Sequence, residues 1–170
     1  MYEFTMRIAG IAYESVVDGP GLRNTVFFQG CPHACPGCHN PETWDPAAGL
    51  EYSLQNLLAA LKLNPLISGV TFSGGEPFLQ AEAAAQLGEI IKAQGLNLWV
   101  YTGYTWEYLL QSKNSKGFNA LLKTADVLID GPFIDEHKSL NLPFRGSANQ
   151  RIIRVKESVA AGTIVSWRME

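Results

Sequence analysis

Outside one short window this chain has no cysteine. Three occur among 170 residues, Cys31, Cys35 and Cys38. An odd number of thiols argues against a disulfide framework. In a reducing compartment, thiols grouped this tightly act as ligands or catalysts. Charge is scarce too. Asp, Glu, Lys and Arg make up 17%, against roughly 25% in soluble domains. A less charged surface suits a docking face. The net charge of −3 leaves no surplus of Lys and Arg for phosphates, so no nucleic-acid partner is expected. No run approaches the ~20 apolar residues that span a bilayer, so no membrane partner is expected. Met1-Tyr2-Glu3-Phe4 lacks the basic and apolar regions of a secretion signal, which predicts a cytoplasmic protein. There is no internal repeat, low-complexity tract or domain linker. Length and a hydrophobic fraction of 46% predict one domain over residues 1–170 with a buried core.

Apolar, β-branched runs alternate with helical patterns. Strands are expected at 24–29, 69–73, 97–102, 127–130 and 151–156, with a last one at 163–167. Helices are expected at 53–63, where Ser53 serves as N-cap, and at 80–94, closed by Gly95. Two further helices fall at 106–111 and 119–124. Residues 111–117 read as a polar surface loop, and Trp44, Trp99, Trp106 and Trp167 mostly as core. Such alternation predicts an α/β fold from βαβ units. Typical unit sizes leave room for about five or six mainly parallel strands, not for an eightfold barrel of ~250 residues. Chemistry gathers at the carboxyl ends of parallel strands. Four unusual segments occupy those ends: the cysteine loop, Gly74-Gly75-Glu76, Thr102-Gly103 and Asp130-Gly131-Pro132.

The cysteine loop reads Gly30-Cys31-Pro32-His33-Ala34-Cys35-Pro36-Gly37-Cys38-His39-Asn40-Pro41, a C-x3-C-x2-C spacing. Pro32, Pro36 and Gly37 disfavour a regular helix and favour a loop wrapped round a ligand. Three thiolates can hold a cubane cluster and leave one iron open. The same residues admit zinc, with His33 or His39 completing a Cys3His site. Three unliganded buried cysteines are a third reading. No second ligand pair exists, and the rest of the rim is glycine and carboxylate, which favours iron–sulfur.

The C-x3-C-x2-C loop, followed by Ser73-Gly74-Gly75-Glu76-Pro77, resembles the radical S-adenosylmethionine (SAM) superfamily. Asp18-Gly19-Pro20-Gly21-Leu22-Arg23 is similar to the segment preceding the cysteines in glycyl-radical-enzyme activases. Tyr101-Thr102-Gly103-Tyr104, Asp130-Gly131-Pro132-Phe133 and Arg145-Gly146-Ser147 with Asn149-Gln150-Arg151 resemble the activases of anaerobic ribonucleoside-triphosphate reductases. The likeness covers most of residues 10–155. Many superfamily members carry an aromatic before the third cysteine. Gly37 stands there, as in reductase activases, which leaves adenine to backbone contacts from Gly37 to His39.

The resemblance implies an open partial (β/α) barrel of radical SAM type. It implies a [4Fe–4S] cluster on Cys31, Cys35 and Cys38, with SAM on the open iron. Reductive cleavage would give methionine and a 5′-deoxyadenosyl radical, and the radical would take hydrogen from a glycine of anaerobic ribonucleoside-triphosphate reductase. A small electron-transfer protein or reductant would supply the electron. Cofactor contacts are expected from Gly37, Cys38, His39, Gly74, Gly75, Glu76, Thr102 and Asp130. Glu76 has two readings, an acceptor for the methionine ammonium or a residue that orders its loop. Asp130 either binds the cofactor or caps a turn, because a carboxylate ending an apolar strand needs a partner. Arg145, Asn149 and Gln150 are expected to help dock the glycine-bearing loop. Alternatives are a 7-carboxy-7-deazaguanine synthase, a pyruvate formate-lyase activase, or a non-catalytic Cys3His zinc-binding interaction protein.

Overall fold

The structure, a computed structural model, describes residues 4–112 and 115–170, with only the backbone of Ser115. In chain order the elements are β1 (Thr5–Ser15), β2 (Arg23–Phe28), β3 (Leu50–Ser53), α1 (Leu54–Ala60), β4 (Gly69–Gly74), α2 (Ala81–Ala93), β5 (Asn97–Tyr101), α3 (Trp106–Gln111), α4 (Ser115–Thr124), β6 (Val127–Asp130), β7 (Arg151–Arg154) and α5 (Val155–Ala161). Among the described residues the seven strands form one sheet in the order β3-β1-β2-β4-β5-β6-β7. The four central strands β2, β4, β5 and β6 run parallel. The flanking β1, β3 and β7 pair antiparallel.

The central strands are the buried ones. Asn24-Thr25-Val26 and Val70-Thr71-Phe72 are covered on both faces, as parallel strands between two layers must be. Val26, Phe28, Val70, Phe72, Leu98, Val100 and Leu128 form one large core with α1, α2 and α4. Phe28 and Phe72 meet edge to face at 5.1 Å. Gly88 lets α2 approach closely, since a Cβ there would lie 2.6 Å from Thr124 Cγ2 and 2.8 Å from Leu98 Cδ2. The intervening residues of each strand face the other way. There Trp99, Val127, Ile129 and Ile152 collect Tyr101, Phe144 and Trp167 into a smaller cluster. Arg23 is fully buried on this side. Its Nε donates to Thr71 Oγ1 at 2.8 Å, its Nη2 to the Val70 carbonyl at 2.9 Å, and it lies over the Trp99 ring. Burial brings its pKa down to about 10.

Several expectations need correction. Among the described residues the strands number seven rather than five or six, the central four of them parallel as expected. β1 and β3 were not anticipated. The 80–94 helix begins with a 3-10 turn at Pro77–Gln80 and becomes α-helical at Ala81. The 151–156 strand stops at Arg154 and passes directly into α5. Residues 163–167 contribute one isolated bridge, Ser166 to Ile153. The helix expected at 119–124 already starts at Ser115, and Gln111 ends α3, so 111–117 is not one loop. Residues 113 and 114 of that segment, and residues 1–3 of the Met1-Tyr2-Glu3-Phe4 reading, lie outside the described residues. Ser53 caps α1 as expected, its Oγ accepting from Asn56 N at 3.1 Å. Among the described residues no helix is long and apolar enough to cross a membrane.

Candidate cluster and cofactor site

Parallel pairing puts the carboxyl ends of β2, β4, β5 and β6 on one rim. The four segments singled out in the sequence follow those ends. Together they enclose an open cavity of about 690 Å³. Cys31, Cys35 and Cys38 line it, with Gly74, Gly75, Thr102, Gly103, His39 and Gly131. All three cysteines are free and half-buried.

The cysteine loop is held at its ends. Gly30 N donates to the Thr43 carbonyl at 2.7 Å, and Cys31 N to that of Trp44 at 3.1 Å. Cys38 N donates to the Cys35 carbonyl at 3.1 Å, and Asn40 N to Cys38 Sγ at 3.4 Å. Ala34 and Gly37 adopt left-handed backbone, φ 46° and 76°, which coils the chain back on itself. Desolvation pushes the Cys31 thiol up to about 11, and Glu76 and the other two thiols add to the shift. A metal would have to displace that proton.

The Gly-Gly-Glu loop lies against this segment. Gly75 N donates to the Phe28 carbonyl and Glu76 N to that of Gly30, both at 2.8 Å. A Cβ on Gly75 would lie 2.3 Å from the Gly30 oxygen, and one on Gly74 2.5 Å from Phe28 N. The two glycines therefore answer first to packing between backbones. Both also face the cavity.

Glu76 is completely buried. Its carboxylate accepts from Phe78 N at 3.0 Å, Gly103 N at 2.9 Å, Thr102 Oγ1 at 2.9 Å and His33 Nε2 at 2.5 Å. These bonds tie the Gly-Gly-Glu loop to Thr102-Gly103 and to the cysteine loop. Asp130 is likewise turned inward. Its Oδ2 accepts from Trp106 N at 2.7 Å at the start of α3, and Arg151 holds both carboxylate oxygens. Thr102 reaches the cavity, though its hydroxyl is spent on Glu76.

Arg145, Asn149 and Gln150 knit their own loop. Arg145 Nη1 donates to the Gln150 carbonyl at 2.7 Å, and Asn149 Nδ2 to that of Pro132 at 2.8 Å. Gln150 Oε1 accepts from Gly146 N at 2.9 Å. Arg145 Nε and Asn149 Oδ1 remain buried without a partner, and Arg145 and Gln150 line the cavity.

The geometry adds residues that the sequence reading passed over. Val16, Val17, Phe27, Phe133, Leu140 and Phe144 line the cavity or its mouth. Val16, Val17 and Leu140 are exposed there. Asp18 lines the wall as well, its Oδ2 accepting from Ser15 Oγ at 2.6 Å and Thr25 Oγ1 at 2.9 Å. Its place in Asp18-Gly19-Pro20 was the available signal.

The donor set fits an iron–sulfur cluster. Three free thiols line one cavity and the sequence has no fourth cysteine, so a cubane held by them would keep one iron open. Of the histidines that a Cys3His zinc site would need, only His33 has a nitrogen engaged. His33 bonds Glu76, and His39 packs on the Phe133 ring at 5.1 Å between centroids. Among the described residues no three His, Cys, Asp or Glu side chains are grouped to hold a single ion.

Comparison with known proteins agrees with this assignment. The family model of a 4Fe-4S single cluster domain matches residues 17–153. The anaerobic ribonucleoside-triphosphate reductase-activating protein of Vibrio cholerae is 40% identical over 147 residues, 82% of this chain and 92% of the relative. That of Escherichia coli K12 is 33% identical over 145 residues, 79% and 90% of the two chains. A pyruvate formate-lyase-activating enzyme of Clostridium pasteurianum is 39% identical over 137 residues, 76% of this chain, which spans only 54% of that longer protein. The crystal structure of QueE from Escherichia coli shares the fold, with a TM-score of 0.50 at 19% identity over 59% of this chain and 54% of the other. The class defined by fold and site is the radical SAM enzyme with a single [4Fe–4S] cluster. Within that class, the chain belongs to the family of anaerobic ribonucleoside-triphosphate reductase-activating proteins.

Proposed function

We propose that this protein activates an anaerobic ribonucleoside-triphosphate reductase by installing a glycyl radical on it. Cys31, Cys35 and Cys38 would hold the cluster, which when bound with SAM would supply one-electron reductive cleavage of the sulfur–C5′ bond and hence the hydrogen abstraction from a reductase glycine. The observation that carries the reading is that Cys31, Cys35 and Cys38, all free, line one open cavity with the Gly74-Gly75 and Thr102-Gly103 segments.

Each group then has a task. Cys31, Cys35 and Cys38 hold the cluster. Gly37, Cys38 and His39 offer backbone to the adenine side. Gly74, Gly75 and Thr102 form the wall for the methionine side. Glu76 and Asp130 work from behind that wall, keeping the loops after β4 and β6 in place. Exposed aliphatic side chains at the mouth, Val16, Val17 and Leu140, suit a partner loop better than a small polar substrate. Arg145, Asn149 and Gln150 shape the rim on which that loop rests. On this reading the seven-stranded sheet serves as an open partial barrel whose free side the reductase covers. The protein works as a single domain in the cytoplasm, where reducing conditions keep the thiols free. It draws its electron from a small electron-transfer protein or reductant.

Anaerobic reconstitution with iron and sulfide tests this reading. The loaded protein, given dithionite and SAM, is expected to form 5′-deoxyadenosine and methionine. Cys35→Ala is expected to lose iron and cleavage together. Absence of cleavage by a fully loaded wild type, or its persistence in Cys35→Ala, would overturn the assignment.

A further inference from the structure

His33 sits between two of the cysteines and lines the same cavity as they do. Its Nε2 donates to Glu76 Oε2 at 2.5 Å, across 43 residues of sequence. Among the described residues, the segment 32–37 hydrogen-bonds to another part of the fold through this contact alone. The ring is held on its other sides as well. It meets Tyr104 edge to face at 4.5 Å, and a Cβ on Gly103 would lie 2.4 Å from its Cδ2. The acceptor is immobile. Glu76 is fully buried and bonded to the backbone of Gly103 and Phe78 and to Thr102.

We propose that His33 is a positioning residue: a strut that fixes the Cys31–Cys35 segment, through Glu76, against the Gly74-Gly75 and Thr102-Gly103 walls where SAM binds. The inference rests on the radical SAM reading of the same site. Two cysteines on a loop with few other tethers need such a strut, because the open iron must face one wall of the cavity. Residues that orient ligands without binding metal themselves matter in this way, with losses of about ten- to a hundredfold on removal. Gly103 belongs to the same device, since a larger residue would push the imidazole aside.

The test compares reconstituted, reduced wild type with His33→Ala, His33→Gln, Gly103→Ala and the double variant His33→Ala/Gly103→Ala. SAM affinity and the SAM-induced change in the cluster's electron paramagnetic resonance spectrum are read alongside iron content and melting temperature. Wild type is expected to show a SAM-dependent spectral change; its absence would sink the radical SAM reading, not the strut. His33→Ala is expected to bind SAM at least about tenfold more weakly, with an altered spectral response. His33→Gln keeps a donor at the same reach and is expected to recover most of the affinity. Gly103→Ala is expected to weaken binding alone but to add nothing to His33→Ala, because the ring it displaces is gone. Should His33→Ala fail to take up iron, uptake by His33→Gln still supports the strut. Wild-type affinity and spectrum in His33→Ala, equal loss in His33→Gln, or additive losses in the double variant would overturn it.

Discussion

The Arg151 guanidinium grips Asp130 with two nitrogens, Nε on Oδ1 at 3.0 Å and Nη2 on Oδ2 at 2.5 Å. Asp130 ends β6, Arg151 begins β7, and the two are direct partners in the ladder. The bonds thus close the sheet at the carboxyl end of β6 and anchor α3 through Trp106 N.

Arg151→Ala should leave a carboxylate at 1% exposure with one donor fewer on each oxygen. Breaking a buried pair costs about 3–5 kcal/mol. The Arg151 side chain is 38% exposed, so water relieves part of this, and about 2 kcal/mol is expected. For a chain of this size that is a melting temperature lower by roughly 4–8 °C. An unchanged melting temperature would show that the pair contributes nothing.

Arg151 also binds Glu107 on the surface, Nη1 to Oε1 at 3.0 Å and Nη2 to Oε2 at 2.7 Å. This bond from Arg151 holds the Glu107 carboxyl below its ordinary value of 4.5. A depressed carboxyl adds stability above its unfolded pKa and loses it as pH falls through the folded one. Solvent keeps the effect small. Wild type should melt slightly above Glu107→Gln at pH 6, and the difference should vanish in acid below the lowered pKa. Scanning fluorimetry across pH checks this, and a constant difference down to pH 3 would contradict it.

Gly75→Ala should force the Gly-Gly-Glu loop away from the cysteine loop. The added methyl has no room 2.3 Å from the Gly30 oxygen, which is backbone and cannot rotate aside. Overpacking of this kind costs about 1–3 kcal/mol. Iron uptake should fall along with stability, since the same movement shifts Cys31. Full iron content at wild-type stability would contradict the close packing of these loops.

How far the sequence could be read depends on the range of each interaction. The four central strands were visible because burial on both faces leaves runs such as Val127–Asp130 almost wholly apolar. β1 hid because Ala9, Gly10, Ala12 and Glu14 break its alternation, and β3 because it has only four residues. α5 hid because no turn separates it from β7; Ser158 Oγ bonds the Arg154 carbonyl and joins them. Trp167 read as core only in a general way. Its place against Trp99 at 5.0 Å and Phe144 at 5.8 Å depends on the tail folding back under the sheet. The cysteines stood out by their spacing, which by itself left zinc and iron–sulfur both open. The inward turn of Glu76 and Asp130 was not, because His33, Thr102 and Arg151 reach them only once the rim has formed.

The most direct test of the account is electron paramagnetic resonance on the reductase itself. The cluster-loaded, reduced protein is mixed anaerobically with SAM and a candidate anaerobic ribonucleoside-triphosphate reductase. A glycyl radical signal on the reductase, dependent on SAM and lost in Cys35→Ala, is the predicted result. A reductase that stays free of radical signal while the loaded protein cleaves SAM would contradict the proposed activation.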